Sequence, residues 1–197
     1  MPNAATIILA SASPRRREIL KKTGLRFRID ESRYEENIVP GLTPRELARF
    51  LSKEKAREVA RRHRNAIVIA ADTIVVSKGR LFGKPRDKAE AEEMLKSLSG
   101  KAHSVITGFT IIDTAVKREL SGSAETRVFF KRLGGDEIAS YIRSGEPLDK
   151  AGAYGIQGLG AVLIKKIEGD FFNVMGLPLN ALVESLKKFG VNVLGGR

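Results

Sequence analysis

Residues 6–20 have the sequence Thr-Ile-Ile-Leu-Ala-Ser-Ala-Ser-Pro-Arg-Arg-Arg-Glu-Ile-Leu, and this stretch decides the fold. Its apolar first part, residues 6–10, predicts a buried strand. Ser13 is a good helix N-cap, and Pro14 suits the first helical position because its fixed φ is already helical. The stretch therefore predicts a strand, a tight turn and a helix in direct succession.

Three consecutive arginines, Arg15 to Arg17, fall in the first turn of the predicted helix. Positive charge there opposes the helix dipole, while the backbone N–H groups at that end favour an anion. The arrangement predicts an arginine-lined anion site at the start of the helix. The alternative is a basic helix end that faces only solvent.

The composition is that of a soluble globular protein. The chain has 197 residues, 42% hydrophobic and 29% charged, enough for one large domain or two small lobes. No apolar stretch reaches about 18 residues and no signal-peptide pattern is present, so we expect a cytoplasmic protein. The sequence has no cysteine, which excludes disulfides and thiolate metal sites, and His63 and His103 lack metal-ligand spacing.

The charge balance favours anionic partners. Lys and Arg number 35 against 23 Asp and Glu, a net charge of +12, which suits nucleic acid or nucleotides. Aromatic residues make up only 6% of the chain, with no alternation of basic and aromatic residues typical of single-strand binding surfaces. Two classes stay open: an enzyme acting on a nucleotide, and a basic protein that binds nucleic acid.

Further periodic segments predict alternating strands and helices. Strands are predicted at residues 27–31, 66–76, 103–112 and 126–131. Helices are predicted from the capping box at Thr43 to about residue 63, and at residues 87–99, 136–143 and 178–189. Residues 146–160 form a glycine-rich loop that is too long to be only a connector.

Asp72 is the most informative single residue. It lies inside the apolar run 66–76, where an unpaired ionised carboxylate would be very costly. Asp72 must therefore meet a cation, a metal ion or several hydrogen-bond donors. It belongs either to a structural ion pair or to a functional site.

Lys55 lies on the apolar side of its predicted helix. At about 100° per residue, one stripe of this helix is formed by Leu47, Ala48, Leu51 and Val59. Lys55 falls inside the stripe rather than on the charged face, so its ammonium should point toward the core or a cleft. The alternative is that Lys55 pairs only with Glu58, three residues further on.

Two further segments suit an anion or a flat ligand. Lys84 lies between Gly83 and Pro85, which give it a rigid backbone open to close approach. The loop 146–160 contains Lys150 and Gln157, and its glycines let the backbone reach a flat or charged ligand. In both cases the alternative is an ordinary surface turn.

The sequence shows neither a Ser/His/Asp triad nor a Walker phosphate loop. What remains is a set of Arg and Lys for phosphates and two isolated carboxylates, Glu31 and Asp72, for a divalent metal and a water. This set favours metal-assisted attack of water on a phosphate chain.

On these residues the chain resembles the Maf-like nucleoside triphosphate pyrophosphatases along nearly its whole length. The motifs that carry the resemblance are Ser11–Arg16, Asp30-Glu31, Lys55-Ala56, Ala71–Thr73, Gly83–Pro85, Leu98–Gly100 with His103, Asp149–Gly158 and Asn173–Pro178. The pair Ile156-Gln157 is similar to the dTTP/UTP branch. A sister branch that prefers 7-methylguanosine triphosphate has Ser-Glu at this place.

The resemblance implies an α/β fold of the Maf and ITPase type, with an elongated mixed β-sheet, flanking helices and two lobes around a central cleft. It implies one domain over residues 1–197, usually dimeric. The implied activity is hydrolysis of dTTP and UTP, and of modified pyrimidine triphosphates, to the monophosphate and pyrophosphate, with Mg²⁺ or Mn²⁺. The implied cellular role is nucleotide-pool house-cleaning.

The resemblance also assigns roles to the phosphate-facing residues. By position, Ser13, Arg15 and Arg16 would hold the phosphate chain. Lys55 and Lys84 would neutralise its charge.

The remaining roles follow from the same resemblance. Glu31 and Asp72 would bind the metal or activate water, and Gln157 would read the base. Thr73 and Lys150 complete the implied substrate-binding set. No stable nucleic-acid partner and no membrane partner are expected.

The chain departs from the family pattern at two places. Phe171-Phe172 stands where smaller or polar residues are common, and Leu51-Ser52 stands where Leu-Ala is usual. The family is also discussed in connection with septum formation, for which the sequence offers no mechanism.

Overall fold

The structure is a computed structural model, and it describes residues 5–35 and 39–194. The strands in chain order are β1 (Thr6–Leu9), β2 (Phe27–Ile29), β3 (Ala66–Ser77), β4 (Arg80–Phe82), β5 (Ala102–Asp113), β6 (Arg118–Phe130) and β7 (Ile164–Glu168). The α-helices are α1 (Pro14–Lys21), α2 (Pro44–Ala60), α3 (Lys88–Leu98), α4 (Gly135–Arg143), α5 (Phe171–Met175) and α6 (Leu179–Lys187).

The strands form one mixed sheet flanked by helices, which confirms the predicted α/β class. Within the described residues the sheet has seven strands in the order β2-β1-β3-β5-β6-β7, and β4 pairs with β3. β1 runs parallel to both β2 and β3, whereas β3 with β4 and β6 with β7 are antiparallel pairs. Parallel neighbours need crossover connections, and α1 and α2 supply them.

The chain forms two compact units. The first contains the residues up to Asp72, together with 107–124 and those from Gly176 onward, and the second contains Thr73–Ile106 and Glu125–Met175. The prediction of one domain over residues 1–197 stays a prediction, and the first four and last three residues of that range lie outside the described residues.

One apolar core of the first unit lies between α2 and the central strands. Its buried side chains include Ile8, Ala56, Val59, Val68 and Ile112. Gly108 on β5 permits the close approach of α2, because a Cβ there would lie 2.2 Å from the carbonyl carbon of Ala48. This close packing fixes the height of α2 over the sheet and therefore the place of Lys55 further along the helix.

The second unit has its own apolar core, built around α3 and α4. It includes Val75, Leu95, Val128, Ile138 and Leu163, all nearly inaccessible to solvent. α3 begins at an Asp87 N-cap whose side chain accepts a hydrogen bond from the Glu90 amide. This confirms the predicted start of the helix.

The other local predictions are mostly confirmed, with shifted ends. Thr43 and Glu46 form the predicted capping box, but α2 ends at Ala60 rather than near residue 63. β6 begins at Arg118, eight residues before the predicted strand. The loop 146–160 contains short 3₁₀ turns, and β4, β7 and α5 were not predicted. Across the described part of the chain, helices with the length and apolarity to span a membrane are absent.

Candidate active site

The predicted site residues divide between the two units. The first unit holds Ser13, Arg15, Arg16, Glu31, Lys55 and Asp72. The second holds Thr73, Lys84, Lys150 and Gln157. Thr73 directly follows Asp72 on β3 and is half-buried.

The start of α1 is organised as predicted. Ser13 is the N-cap, and its hydroxyl accepts a hydrogen bond from the Arg16 amide at 3.4 Å. The Arg16 guanidinium is itself anchored, donating from Nε to the carbonyl of Gly176 at 2.8 Å and from Nη1 to the Ser11 hydroxyl at 3.3 Å. Ser11 also accepts from the Ser13 amide at 3.2 Å. Hydrogen bonds from within this unit therefore fix both the turn and the direction of the Arg16 guanidinium.

The first turn of α1 is strongly basic. The first turn of α1, all of which is described, contains no acidic residue. Arg15 and Arg16 are half-buried while Arg17 is exposed. Backbone N–H groups and two partly buried guanidinium groups together make an environment that stabilises an anion.

Lys55 and Asp72 form a buried ion pair. The distance from Lys55 Nζ to Asp72 Oδ1 is 2.5 Å, and the two side chains are only 12% and 8% exposed. α2 supplies the lysine from its buried stripe, and β3 supplies the carboxylate from an otherwise apolar run. Both sequence predictions, a lysine directed inward and an aspartate that meets a cation, are confirmed.

The alternative that Lys55 pairs only with Glu58 is wrong. Glu58 Oε1 instead pairs with Arg62 at 3.1 Å, and its Oε2 accepts from the Arg33 amide at 3.0 Å. The charges of Lys55 and Asp72 compensate each other inside the protein, where burying either charge alone would be costly. A cation and an anion are thus held side by side with little access to solvent.

Glu31 is positioned by a residue that the sequence analysis missed. Arg62 donates to the Glu31 carbonyl at 2.8 Å and pairs with Asp30 at 3.0 Å. Asp30 also contacts His63, with 2.7 Å between Asp30 Oδ2 and His63 Nε2. The Glu31 side chain itself is exposed. A lone arginine just after a helix carries no sequence signal for this role.

A divalent cation at the predicted carboxylates would need further oxygen ligands from the substrate or from water. Within the part of the chain that the structure describes, no group of three or more His, Asp or Glu side chains is arranged to hold a metal ion. Mg²⁺ usually keeps several waters and binds one or two carboxylates together with substrate phosphates. Carboxylate oxygens such as those of Asp72 and Glu31 suit that mode by their chemistry.

In the second unit, Lys84 lies on a turn tied to the glycine-rich loop. The carbonyl of Gly83 accepts a hydrogen bond from the Gly152 amide at 3.0 Å. Gly152 has a φ of +72°, a conformation that favours glycine. The exposed Lys84 is therefore carried on a fixed backbone.

Lys150 and Gln157 occupy the same loop in different settings. Lys150 Nζ donates to the carbonyl of Glu146 and to Asp149 Oδ1, both at 2.6 Å, and its side chain is 13% exposed. Gln157 is exposed, and its side chain makes no capping hydrogen bond to the 3₁₀ turn that follows. The structure thus ties Lys150 into the loop and presents Gln157 outward.

His103, which belongs to one of the family-like motifs, is a packing residue. Its Nε2 lies 2.7 Å from the Tyr154 hydroxyl, and both rings pack edge-on against Phe130. Burial lowers the pKa of His103 to about 4, so the ring is neutral near pH 7.

Ser52 stands where the family pattern usually has alanine, and its hydroxyl is accommodated by hydrogen bonds within a group of buried and half-buried hydroxyls. Ser52 is fully buried, and its Oγ lies 2.8 Å from the Arg49 carbonyl and 2.9 Å from Thr110 Oγ1. Thr110 in turn contacts Ser121 at 2.8 Å. A buried hydroxyl is therefore satisfied and does not disturb Lys55 three residues later.

Comparison with known proteins identifies one matching family and several similar proteins. A family model described as "Maf-like protein" matches residues 6–189. A protein of Methanosarcina barkeri named dTTP/UTP pyrophosphatase is 50% identical over 188 residues, covering 95% of each chain.

Two bacterial proteins with the same name show similar agreement. The one from Pelotomaculum thermopropionicum is 50% identical over 188 residues, covering 95% of this chain and 98% of its own. The one from Clostridioides difficile is 46% identical over 191 residues, covering 96% of this chain and 98% of its own. Since the family model spans nearly the whole chain, the protein belongs to the Maf-like family.

Proposed function

We propose that this protein is a nucleoside triphosphate pyrophosphatase that hydrolyses dTTP and UTP to the monophosphate and pyrophosphate. The observation that carries the proposal is the buried Lys55–Asp72 pair, a carboxylate held beside a cation inside an apolar strand. Membership of the Maf-like family and the names of the relatives support the same activity.

The residues of the first unit suit the chemistry at the phosphates. Water attacks the α-phosphorus and gives a proton to whichever carboxylate, Asp72 or Glu31, activates it. An oxygen–phosphorus bond forms, the bond from the α-phosphorus to the bridging oxygen breaks, and pyrophosphate leaves with that oxygen. Asp72 activates the water or binds the metal, while Lys55 stabilises negative charge that develops on the phosphate oxygens. Arg15 and Arg16, with the cap at Ser13, hold the phosphate chain.

A divalent cation, Mg²⁺ or Mn²⁺, completes this proposal. Glu31 and Asp72 are the residues that would hold it. When bound, it would neutralise charge on the phosphate oxygens.

The residues of the second unit suit recognition of the nucleotide. Lys84 contributes positive charge toward phosphate, and Thr73 and Lys150 complete the substrate contacts. Gln157 reads the base, because its amide offers one acceptor and one donor to the N3–H and carbonyl groups of uracil or thymine. An ionised carboxylate at the same place could only accept hydrogen bonds.

Several broader features belong to the same proposal. The protein acts in the cytoplasm as a homodimer that removes unwanted nucleotides from the pool, and modified pyrimidine triphosphates are included among its substrates. Size-exclusion chromatography with light scattering tests the dimer, with a mass of twice 21.6 kDa expected.

The activity is tested with a panel of triphosphates in the presence of Mg²⁺ or of a chelator. We expect dTTP and UTP to give pyrophosphate and the monophosphate, identified by phosphorus NMR, and ATP, GTP and 7-methyl-GTP to react slowly. Release of orthophosphate and a diphosphate instead would overturn the proposed bond cleavage. Equal rates with the chelator would remove the metal from the proposal.

The site gives less support to the competing hypothesis of a nucleic-acid-binding or division-regulating protein without catalysis. A protein that grips a phosphate backbone has no use for a desolvated carboxylate such as Asp72. Absence of turnover on every triphosphate, together with tight and salt-dependent binding of DNA or RNA, would favour that idea.

A further inference from the structure

Glu146 lies at the centre of a hydrogen-bond network that the proposed chemistry does not use. Its Oε2 accepts from the Leu159 amide at 2.9 Å, and its Oε1 accepts from the Gly160 amide at 3.0 Å and from the Tyr141 hydroxyl at 2.9 Å. The Tyr141 oxygen accepts in turn from the Gly155 amide at 3.1 Å.

This network fastens the backbone on both sides of Gln157. Gly155 is held through Tyr141 on one side, and Leu159 and Gly160 are held through Glu146 on the other. The segment between these anchors has only three residues, with Gln157 in the middle. A side chain on so short a fastened segment has a restricted direction.

The glycines of the loop fit closely around the two anchoring side chains. A Cβ at Gly158, where φ is +72°, would lie 2.6 Å from Glu146 Oε2. A Cβ at Gly160 would lie 2.5 Å from the Tyr141 hydroxyl and 2.3 Å from the Gly155 carbonyl oxygen. A carboxylate of the protein itself therefore lies directly against the backbone of this loop.

Glu146 is held in its ionised form. Partial burial alone would raise the pKa of Glu146, but the hydrogen bonds from Gly160, Leu159 and Tyr141 outweigh it and lower the pKa. An ionised carboxylate accepts at both oxygens, which matches three donors. Glutamine could not replace it, because its NH₂ group would face an N–H or O–H donor.

We propose that Glu146, together with Tyr141, is a positioning residue that sets the base selectivity of the loop carrying Gln157. A glutamine amide matches uracil and thymine in one orientation and cytosine in the other. Discrimination between them therefore requires a backbone that fixes where the amide lies. This inference rests on the proposed base-reading role of Gln157.

The test compares kcat and KM for dTTP, UTP and CTP in the wild type and in Glu146→Gln. A shift of about 1 Å at a binding group costs about 10²-fold, so a partly loosened loop should cost about tenfold. We expect KM for dTTP and UTP to rise about tenfold, kcat to change little, and the preference over CTP to fall about tenfold. Glu168→Gln, which removes an exposed carboxylate of the same unit paired with Lys166 and Arg127, is the matched control and should change neither.

Coupling to Gln157 separates positioning from a general role in stability. In a Gln157→Ala background, Glu146→Gln should no longer alter the ratio of UTP to CTP turnover, since residues that act through one another are not additive. Binding of pyrophosphate alone, measured by calorimetry, should be equal in the wild type and Glu146→Gln.

The possible failures are distinguishable. A wild type without turnover of dTTP or UTP contradicts the proposed function. An active wild type whose selectivity is insensitive to Gln157→Ala contradicts the base-reading role. Unchanged selectivity in Glu146→Gln, or full additivity with Gln157→Ala, overturns the positioning role. If Glu146→Gln does not fold, Tyr141→Phe removes one donor and one acceptor of the network and should raise KM in the same direction, and unchanged KM and selectivity there overturn the inference.

Discussion

Each unit of the molecule contains a carboxylate that needs partners, and the two are satisfied in different ways. Asp72 in the first unit meets the ammonium of Lys55, so one side chain compensates another. Glu146 in the second unit meets two backbone amides and a tyrosine hydroxyl. The Lys55–Asp72 pair buries two opposite charges side by side, whereas Glu146 fixes the backbone of a loop.

The difference determines what each carboxylate can do. The Lys55–Asp72 pair joins two side-chain charges, which a phosphate group or a metal ion could also contact, so it suits catalysis. Glu146 has its lone pairs committed to the loop and suits positioning. Breaking each arrangement should therefore have different consequences for rate, stability and selectivity.

The largest effect should come from Asp72→Asn. The substitution keeps the shape and an oxygen that can accept from Lys55 Nζ, but removes the negative charge needed to take a proton or hold a metal. We expect kcat to fall by about 10²–10⁴-fold while circular dichroism shows a folded protein. Asp136→Asn, at an exposed carboxylate in the first turn of α4, is the control. Retention of more than about a tenth of the wild-type kcat would contradict the catalytic role.

The sequence predicted the first of these two carboxylates and not the second, for a physical reason. A pair of side chains can be detected in the sequence at both partners. Here Asp72 interrupts the apolar run of β3, and Lys55 interrupts the apolar stripe of α2. The anchor at Glu146 is made mainly to backbone amides, which every residue has. Only the glycines of the loop signalled it, and they are equally compatible with a bound ligand or a flexible turn.

The same reasoning accounts for the fold. β1, α1 and β3 were predicted because apolar runs and caps specify them locally. β4 and β7 are short strands that include charged residues, and α5 has only five residues, little more than one turn, so none of them carries an apolar run or a cap that would mark it. The first part of β6 is half-buried and polar, so its pairing in the sheet, rather than its own composition, makes it a strand.

Lys55→Met should reduce both stability and activity. It leaves the Asp72 carboxylate buried without its cation, and breaking a buried pair in this way costs about 3–5 kcal/mol of the free energy of unfolding. The double variant Lys55→Met/Asp72→Asn should recover most of that stability but no activity, since neither charge is then buried. Lys53→Met, on the same helix but in the more exposed pair with Glu119, should cost less than about 1 kcal/mol. Urea unfolding and steady-state kinetics measure both quantities, and equal losses for Lys53 and Lys55 would contradict the special place of Lys55.

The buried, neutral pair of His103 and Tyr154 in the second unit should make the stability of the protein depend on pH. Burial lowers the pKa of His103 from its ordinary value of 6.5 to about 4. Between these two pH values, His103 is protonated in the unfolded chain but stays neutral in the folded protein. Stability should fall as the pH drops from about 6.5 to 4, by up to about 3 kcal/mol, since one pKa unit corresponds to about 1.4 kcal/mol. His103→Gln keeps a polar partner for Tyr154 and should remove this part of the pH dependence, whereas His63→Gln should retain it. Denaturant unfolding between pH 4 and 7 measures this effect. If the free energy of unfolding of His103→Gln depended on pH as it does in the wild type, His103 would not be its source.

The smallest of these effects concerns the base. Gln157→Glu should lower kcat/KM for dTTP and UTP by about 10²-fold, because an ionised carboxylate faces the carbonyl groups of the pyrimidine without a donor. The Lys55–Asp72 pair is untouched, so kcat at saturation and the binding of pyrophosphate should change little. A carboxylate accepts well from the two adjacent donors of guanine, and the activity toward 7-methyl-GTP should therefore rise relative to that toward UTP. Measuring kcat/KM for UTP, dTTP, CTP and 7-methyl-GTP on both proteins tests this, and an unchanged preference for pyrimidines would remove Gln157 from the base-reading role.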